Sequence, residues 1–204
     1  IAEKYGLSLE TLLAANPLAN PDLLSVGQVL VVPVASAALP AGPGVKLLPD
    51  SQFVYGPDAV AFDTAAFVAE KGGYLNQYTE IFDGETLTGA QIIERSAQFY
   101  SVHPRLLLAL LELQSGWITR PDPPDSTLTY PFGRVEVRRE GLYRQTRWAA
   151  NQLNSGYYLW RVGGLSTWAF PDGSRATING GLSAGTAGVQ SFFAELDSPP
   201  EWQN

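Results

Sequence analysis

Val102-His103-Pro104-Arg105-Leu106-Leu107-Leu108-Ala109-Leu110-Leu111-Glu112-Leu113-Gln114-Ser115-Gly116-Trp117 is the stretch on which the fold of this chain turns. Pro104 suits the first turn of a helix, where the N–H it lacks would have no intrahelical partner. Residues 105–115 are apolar on nearly every face, so they are expected to form a buried central helix. Gly116 tolerates positive φ and ends it. A buried helix needs neighbours, and the flanking sequence supplies them.

Upstream, Asp63 caps a short helix over 64–70, broken by Gly72-Gly73, and 74–81 reads as another, ended near Asp83-Gly84. Thr88 followed three residues on by Gln91 is a capping-box pattern for a helix running through Tyr100. Downstream, Pro121, Pro123, Pro124 and Pro131 make 118–140 a loop with little helix. Gly141 opens a long helix to about Arg161, with Trp148, Leu153, Tyr157 and Trp160 available to pack. Residues 167–170 and 175–178 flank Asp172-Gly173 as a small β-hairpin. Ser183 caps a last helix through Leu196, with Val189, Phe192, Phe193 and Leu196 on one face.

The central stretch resembles the segment of soluble lytic transglycosylases and goose-type lysozymes in which a buried helix ends in Glu-Ser-Gly-aromatic. The resemblance covers residues 92–196 and implies a lysozyme-like domain whose catalytic acid protonates the glycosidic oxygen. Gln114 stands at the matching position, and an amide delivers no such proton, although it can hydrogen-bond a sugar. Glu112 lies two residues earlier, roughly 200° around the helix, and is a poor stand-in. Asp122 and Asp125, in the following loop, are the other candidate acids. Gly141-Leu142-Tyr143-Arg144-Gln145 resembles the family's Gly-Leu-x-Gln motif with the Gln one residue late, and 183–189 resembles the helix that follows. A degenerate glycan cleft is the implied consequence, with Gln114, Trp117, Tyr143 and Gln145 as contacts. Tyr130, Phe132, Tyr157, Tyr158 and Trp168 also offer flat faces, and the competing reading of each aromatic is core packing.

The N-terminus is a different object. After Tyr5-Gly6, Ser8 is placed to cap a short helix with Leu9, Leu12 and Leu13 on one face. Asn16-Pro17 stops it, because the residue before a proline is pushed out of the helical region. Gly27-Gln28 then turns into Val29-Leu30-Val31-Val32, a β-branched run ended by Pro33. This order resembles the second half of a LysM domain, a small βααβ module. It implies binding to N-acetylglucosamine-containing glycans such as peptidoglycan or chitin, through Asn20, Pro21, Asp22, Leu23, Leu24 and Gln28. The first strand of that module is not visible, and Ile1 falls inside the first helix without Met, so the start reads as truncated, processed or partly determined. Residues 34–49, rich in Ala, Pro and Gly, suit a semi-extended linker. The expected organisation is a partial LysM-like module over 1–34, a linker over 35–49 and a helical domain over 50–204, in all a mainly α (α+β) protein.

Composition narrows the partners. A net charge of −7 in 204 residues gives no basic field for nucleic acid and none to steer a cationic wall-lytic enzyme. No run of about 18 apolar residues is present, so no membrane span is expected. With no Cys and one His, there is no thiol chemistry, a histidine-rich metal site is impossible and a Ser-His triad is disfavoured. No metal or other cofactor is expected. His103, before Pro104, reads as a capping residue. Arg134, Arg138, Arg139, Arg144 and Arg147 form a locally basic stretch that either faces an acidic partner or wall carboxylates, or is a solvated face with local ion pairs.

These features favour a secreted, cell-envelope glycan-binding protein with a non-catalytic lysozyme-like domain. Two alternatives remain open: an active peptidoglycan-cleaving enzyme using a non-standard acid, and a structural or assembly protein contacting other envelope proteins.

Overall fold

The computed structural model describes residues 9–16, 18, 20, 23–25, 27–31 and 42–202. The chain divides into two compact units, Ile1–Leu39 and Pro40–Asn204. Among the described residues it is mainly helical, with two small two-stranded sheets.

In the first unit, α1 (Leu9–Ala14) buries Leu12 and leaves Leu9 exposed. The helix stops before Asn16-Pro17, as the sequence requires. Ser8 and the Tyr5-Gly6 helix end lie outside the described residues. The expected strand carries no ladder over Val29–Val31 among the described residues. Val31 instead pairs with a side chain: Asn16 Nδ2 donates to its carbonyl (2.6 Å) and its N–H donates to Asn16 Oδ1 (2.7 Å). Asn16 Nδ2 also donates to the Leu12 carbonyl at 2.8 Å. One buried amide thus joins the helix to the segment that follows it.

The second unit begins with 42–49. This stretch, expected at the end of the linker, is tied to the helical unit. Gly42 N–H donates to the Thr177 carbonyl, Leu47 N–H to Thr186 Oγ1, and Gln190 Nε2 to the Pro43 carbonyl. A 3-10 turn (Asp50–Gln52) and α2 (Pro57–Val60) follow. α3 (Thr64–Lys71) is capped by Asp63, whose Oδ1 accepts from Ala66 N–H, and ends on Gly72 at φ 66°.

The helix expected over 74–81 is only one turn, α4 (Tyr74–Gln77). It gives way to a hairpin, β1 (Thr79–Phe82) and β2 (Glu85–Thr88), with Phe82 opposite Glu85. The Asp83-Gly84 taken as a helix end is the two-residue turn, with positive φ at both positions (52° and 79°). β-branched and aromatic residues at Thr79, Ile81, Phe82, Thr86 and Thr88 prevail over the short helical pattern.

α5 (Gly89–Tyr100) carries the full capping box: Thr88 Oγ1 accepts from Gln91 N–H and Gln91 Oε1 from Thr88 N–H. α6 (Pro104–Ser115) is the helix of the opening stretch, and His103 Nδ1 caps it by accepting from Arg105 N–H at 3.1 Å. It buries Leu107, Leu108, Leu110 and Leu111. Arg105, Ala109 and Leu113, spaced four apart, form an exposed stripe, so α6 is not buried all round.

The buried helix is α8 (Ala184–Ala194), in which every residue except Phe193 is buried. It lies along α7 (Leu142–Arg161), which also packs on α5. Gly188 makes that approach possible: a Cβ there would fall 2.5 Å from the Phe53 ring and 2.8 Å from the Leu153 carbonyl oxygen. Phe53 in turn stacks on Tyr157 at 4.6 Å. The sequence hides this because small residues, not large apolar ones, let the two backbones meet.

The predicted second hairpin forms from β3 (Thr167–Ala169) and β4 (Arg175–Thr177). Asp172 Oδ1 accepts from Ser174 N–H and Oγ at its turn, which accounts for that carboxylate structurally. α9 (Pro199–Trp202) closes a smaller core of Trp168, Phe170, Ile178 and Trp202. No helix of the described residues is long and apolar enough to cross a membrane.

Candidate functional site

The residues expected to contact glycan lie, in sequence, between the two ends that Asn16 joins. Leu23 and Leu24 are exposed, at 71% and 43%. Leu23 N–H donates to the Asn20 carbonyl, Gln28 N–H to the Ser25 carbonyl, and Ser25 N–H to Gln28 Oε1. Gln28 therefore folds its amide oxygen back on the turn and leaves its NH2 group as a donor. Pro21 and Asp22 lie outside the described residues. Two exposed leucines thus stand near a hydrogen-bonded Ser25–Gln28 turn, so apolar and polar groups are both presented there.

In the helical unit, Gln114 occupies the last turn of α6, half-buried. Its Oε1 faces Gly133, 3.0 Å from where a Cβ would begin. The amide makes no hydrogen bond to protein among the described residues. Glu112 is committed elsewhere: Oε2 accepts from Ile118 N–H (2.9 Å) and Thr119 N–H (3.2 Å), and Oε1 from Thr119 Oγ1 (2.5 Å). It fastens the chain that leaves α6. Asp122 and Asp125 are exposed on the succeeding loop.

Trp117 is fully buried, not open to a cleft. Tyr74 and Tyr78 pack on it at 4.7 and 5.1 Å, and its indole N–H donates to Thr127 Oγ1 at 3.2 Å. The ring has no free face for a sugar. Gln145 is likewise fully buried. Its Oε1 accepts from Phe132 N–H (3.2 Å) and its Nε2 donates to the carbonyls of Arg134 (2.8 Å) and Arg139 (2.9 Å). Each polar atom of the amide is used to pin the 132–139 loop to α7, which leaves none for a ligand. Phe132, Tyr157 and Trp168 are core residues, whereas Tyr158 is half-exposed.

Tyr143 is half-buried, and its ring stacks on Phe82 at 3.7 Å with planes 21° apart. Its N–H donates to Glu80 Oε2 at 2.9 Å, and Tyr78 Oη donates to the same oxygen at 3.1 Å. Burial, reinforced by the Glu80 charge, pushes the Tyr78 phenol well above its ordinary value. Glu80 serves as the missing cap of α7, whose N-cap residue is Gly141. A Cβ on Gly141 would approach Glu80 Oε1 to 2.7 Å, so the glycine admits the carboxylate. Glu80, Phe82 and Tyr78 were not singled out in the sequence. They lie more than 60 residues from their contacts on the first turn of α7, and the one available signal, the Asp-Gly hairpin turn, places them only once the strand is recognised.

Of the five arginines in the basic stretch, two are paired. Arg139 meets Glu136 at 2.7 Å, and Arg134 meets Glu195 at 3.3 Å and Glu136 at 3.7 Å. Arg138, Arg144 and Arg147 have no carboxylate partner among the described residues.

Residues 46–204 match the family model described as the LasA N-terminal domain, and residues 1–33 match that of the LysM domain. The first match starts inside the stretch expected as linker, where the chain already bonds to the helical unit. Two curated relatives are Protease LasA of Pseudomonas aeruginosa strain PAO1 and of strain UCBPP-PA14. Each is 32% identical over 154 residues, which is 75% of this chain and 33% of the relative, so the match spans about a third of their length. No solved structure matches.

Proposed function

The chain belongs to the LasA N-terminal-domain family, and from that premise we propose that it is an extracellular, cell-envelope glycan-binding protein whose helical unit is not itself catalytic. The match of residues 1–33 to the LysM domain carries the reading. Its ligand is peptidoglycan or a similar N-acetylglucosamine polymer, held by the Asn20–Gln28 loop on the Asn16 clamp.

The non-catalytic part rests on the chemistry of the helical unit. At the end of α6 stands an amide, Gln114, and the nearest carboxylate in sequence, Glu112, has three donors on its two oxygens. A lysozyme-like scaffold that has lost its acid is consistent with both facts. The relatives are named proteases, and we assign any such activity in them to the two thirds of their length that this chain does not match. Among the described residues no group of His, Cys, Asp and Glu is arranged to hold a metal ion, and the one histidine is a buried helix cap.

Co-sedimentation with purified peptidoglycan and with chitin, followed by assay of the supernatant for new reducing ends or muropeptides, tests the proposal. Sedimentation without release is expected. Release abolished by a single carboxylate variant would overturn the non-catalytic reading, and failure to sediment with either polymer would overturn glycan binding.

A further inference from the structure

Arg138, Arg144 and Arg147 gather in one place. Together with Phe82, Tyr100 and Tyr143 they line a groove of about 350 Å3 between the 3-10 turn Val137–Arg139 and α7. Tyr143 and Arg147 continue into an adjoining recess of about 210 Å3, which Arg95, Ser96 and Phe99 complete. Arg95 is already neutralised by a two-pronged contact with Glu85 (2.6 and 2.5 Å). Arg147 has no carboxylate among the described residues: its guanidinium lies over rings, 5.0 Å from Phe99, 5.7 Å from Tyr143 and 5.8 Å from Tyr100, and hydrogen-bonds the Tyr100 and Tyr143 hydroxyls. Ser96 is buried, and its Oγ has no hydrogen-bond partner.

A protein of net charge −7 thus concentrates three arginines that lack a carboxylate partner among the described residues, one of them, Arg147, in the recess that holds an unsatisfied buried hydroxyl. Buried polar groups are normally satisfied, and guanidinium forks match carboxylates. We propose that this groove binds an extended acidic peptide, with one carboxylate side chain seated in the recess against Arg147 and Ser96 Oγ and a second over Arg144 and Arg138. The spacing agrees. Alternate side chains of an extended peptide are roughly 6.5–7 Å apart, and residues three apart on a helix, such as Arg144 and Arg147, have Cβ atoms about 5–6 Å apart. A carboxylated sugar fits less well. The faces that would stack on a pyranose are used, because Phe82 and Tyr143 cover each other at 3.7 Å and Arg147 lies against Tyr143, Tyr100 and Phe99.

Fluorescence anisotropy with a labelled oligoglutamate peptide, its glutamine counterpart and a labelled oligogalacturonate, all against the full chain at low ionic strength, is the test. The glutamate peptide binds, the glutamine peptide does not, and added salt weakens the complex. Arg147→Gln lowers affinity at least about tenfold, as the loss of one charge-assisted contact implies. Arg144→Gln, on an exposed side chain, and Ser96→Ala weaken it several-fold, while Arg175→Gln on β4 leaves it unchanged. If Arg147→Gln fails to fold, the Arg144 and Ser96 variants decide alone. No binding of the glutamate peptide, equal weakening by Arg175→Gln, or preference for oligogalacturonate would overturn the proposal.

Discussion

Asn16 and Val31, fifteen residues apart, are joined by a reciprocal pair of hydrogen bonds, side-chain amide to backbone amide, at 2.6 and 2.7 Å. The pair substitutes for a ladder rung. It ties the end of α1 to Val31, and the residues proposed to contact glycan lie between the two in sequence. Asn16→Ala removes three hydrogen bonds and leaves backbone groups of Val31 and Leu12 unsatisfied, a loss of about 1–3 kcal/mol. The expected outcome is loss of glycan co-sedimentation with the thermal transition of the helical unit unchanged, read by circular dichroism.

Gln145 performs a similar service inside the helical unit. Gln145→Glu keeps an acceptor for Phe132 N–H but loses both donors to Arg134 and Arg139 and adds a buried charge. A destabilisation of about 2–4 kcal/mol is expected from these combined losses, with earlier proteolytic nicking in the 132–139 loop. Urea denaturation with limited proteolysis measures both, and an unaltered midpoint would refute the role given to this amide.

Gly188→Ala tests the α7–α8 contact. The added methyl would sit 2.5 Å from the Phe53 ring with the Leu153 carbonyl behind it. Overpacking of this kind costs about 1–3 kcal/mol or more. The same change at Gly180, which has nothing within 4 Å, serves as the control and is expected to be near neutral.

His103 confers pH dependence. Burial, helped by Arg105, holds its imidazole below the ordinary 6.5, and Nδ1 must stay unprotonated to cap α6. The unfolded chain therefore takes up the proton first. Its contribution is complete above about pH 6.5 and is lost as pH falls through the lowered folded value. As the one histidine in the chain, it gives an unambiguous NMR titration. A midpoint at or above 6.5 would contradict this account, and His103→Asn, which preserves an acceptor, is expected to flatten the stability profile in that window.

The lysozyme-like part of the proposal makes its own prediction. Gln114→Glu places an acid on the last turn of α6, and the variant is expected to release muropeptides that the parent does not. Folded Gln114→Glu protein without release would remove the lysozyme-like reading and leave glycan binding untouched.

How much of this was legible beforehand follows the range of the interactions. The caps at Asp63, Thr88 and Ser183, the stop at Gly116 and the Asp172-Gly173 turn are local, and each formed where the sequence placed it. The features that the sequence misplaces have other causes. The Thr79–Thr88 hairpin overrode a weak helical pattern, and its turn residues were taken for a helix end. α8 reads as amphipathic because Ala, Gly, Ser and Thr carry little apolar signal, yet they let α7 and α8 approach closely at Gly156 and Gly188. Trp117 and Gln145, expected as glycan contacts, are buried under Tyr74, Tyr78 and an irregular loop over 127–139 whose path no local pattern specifies. Glu80 was missed because its partner is the first turn of α7, distant in sequence.

The most direct measurement is the affinity of the full chain for purified peptidoglycan, obtained by sedimentation at increasing polymer, for the parent and Asn16→Ala. Saturable binding by the parent that is lost in the variant, with no new reducing ends in either supernatant, is the result predicted here. A parent that stays in the supernatant at every polymer concentration would contradict it.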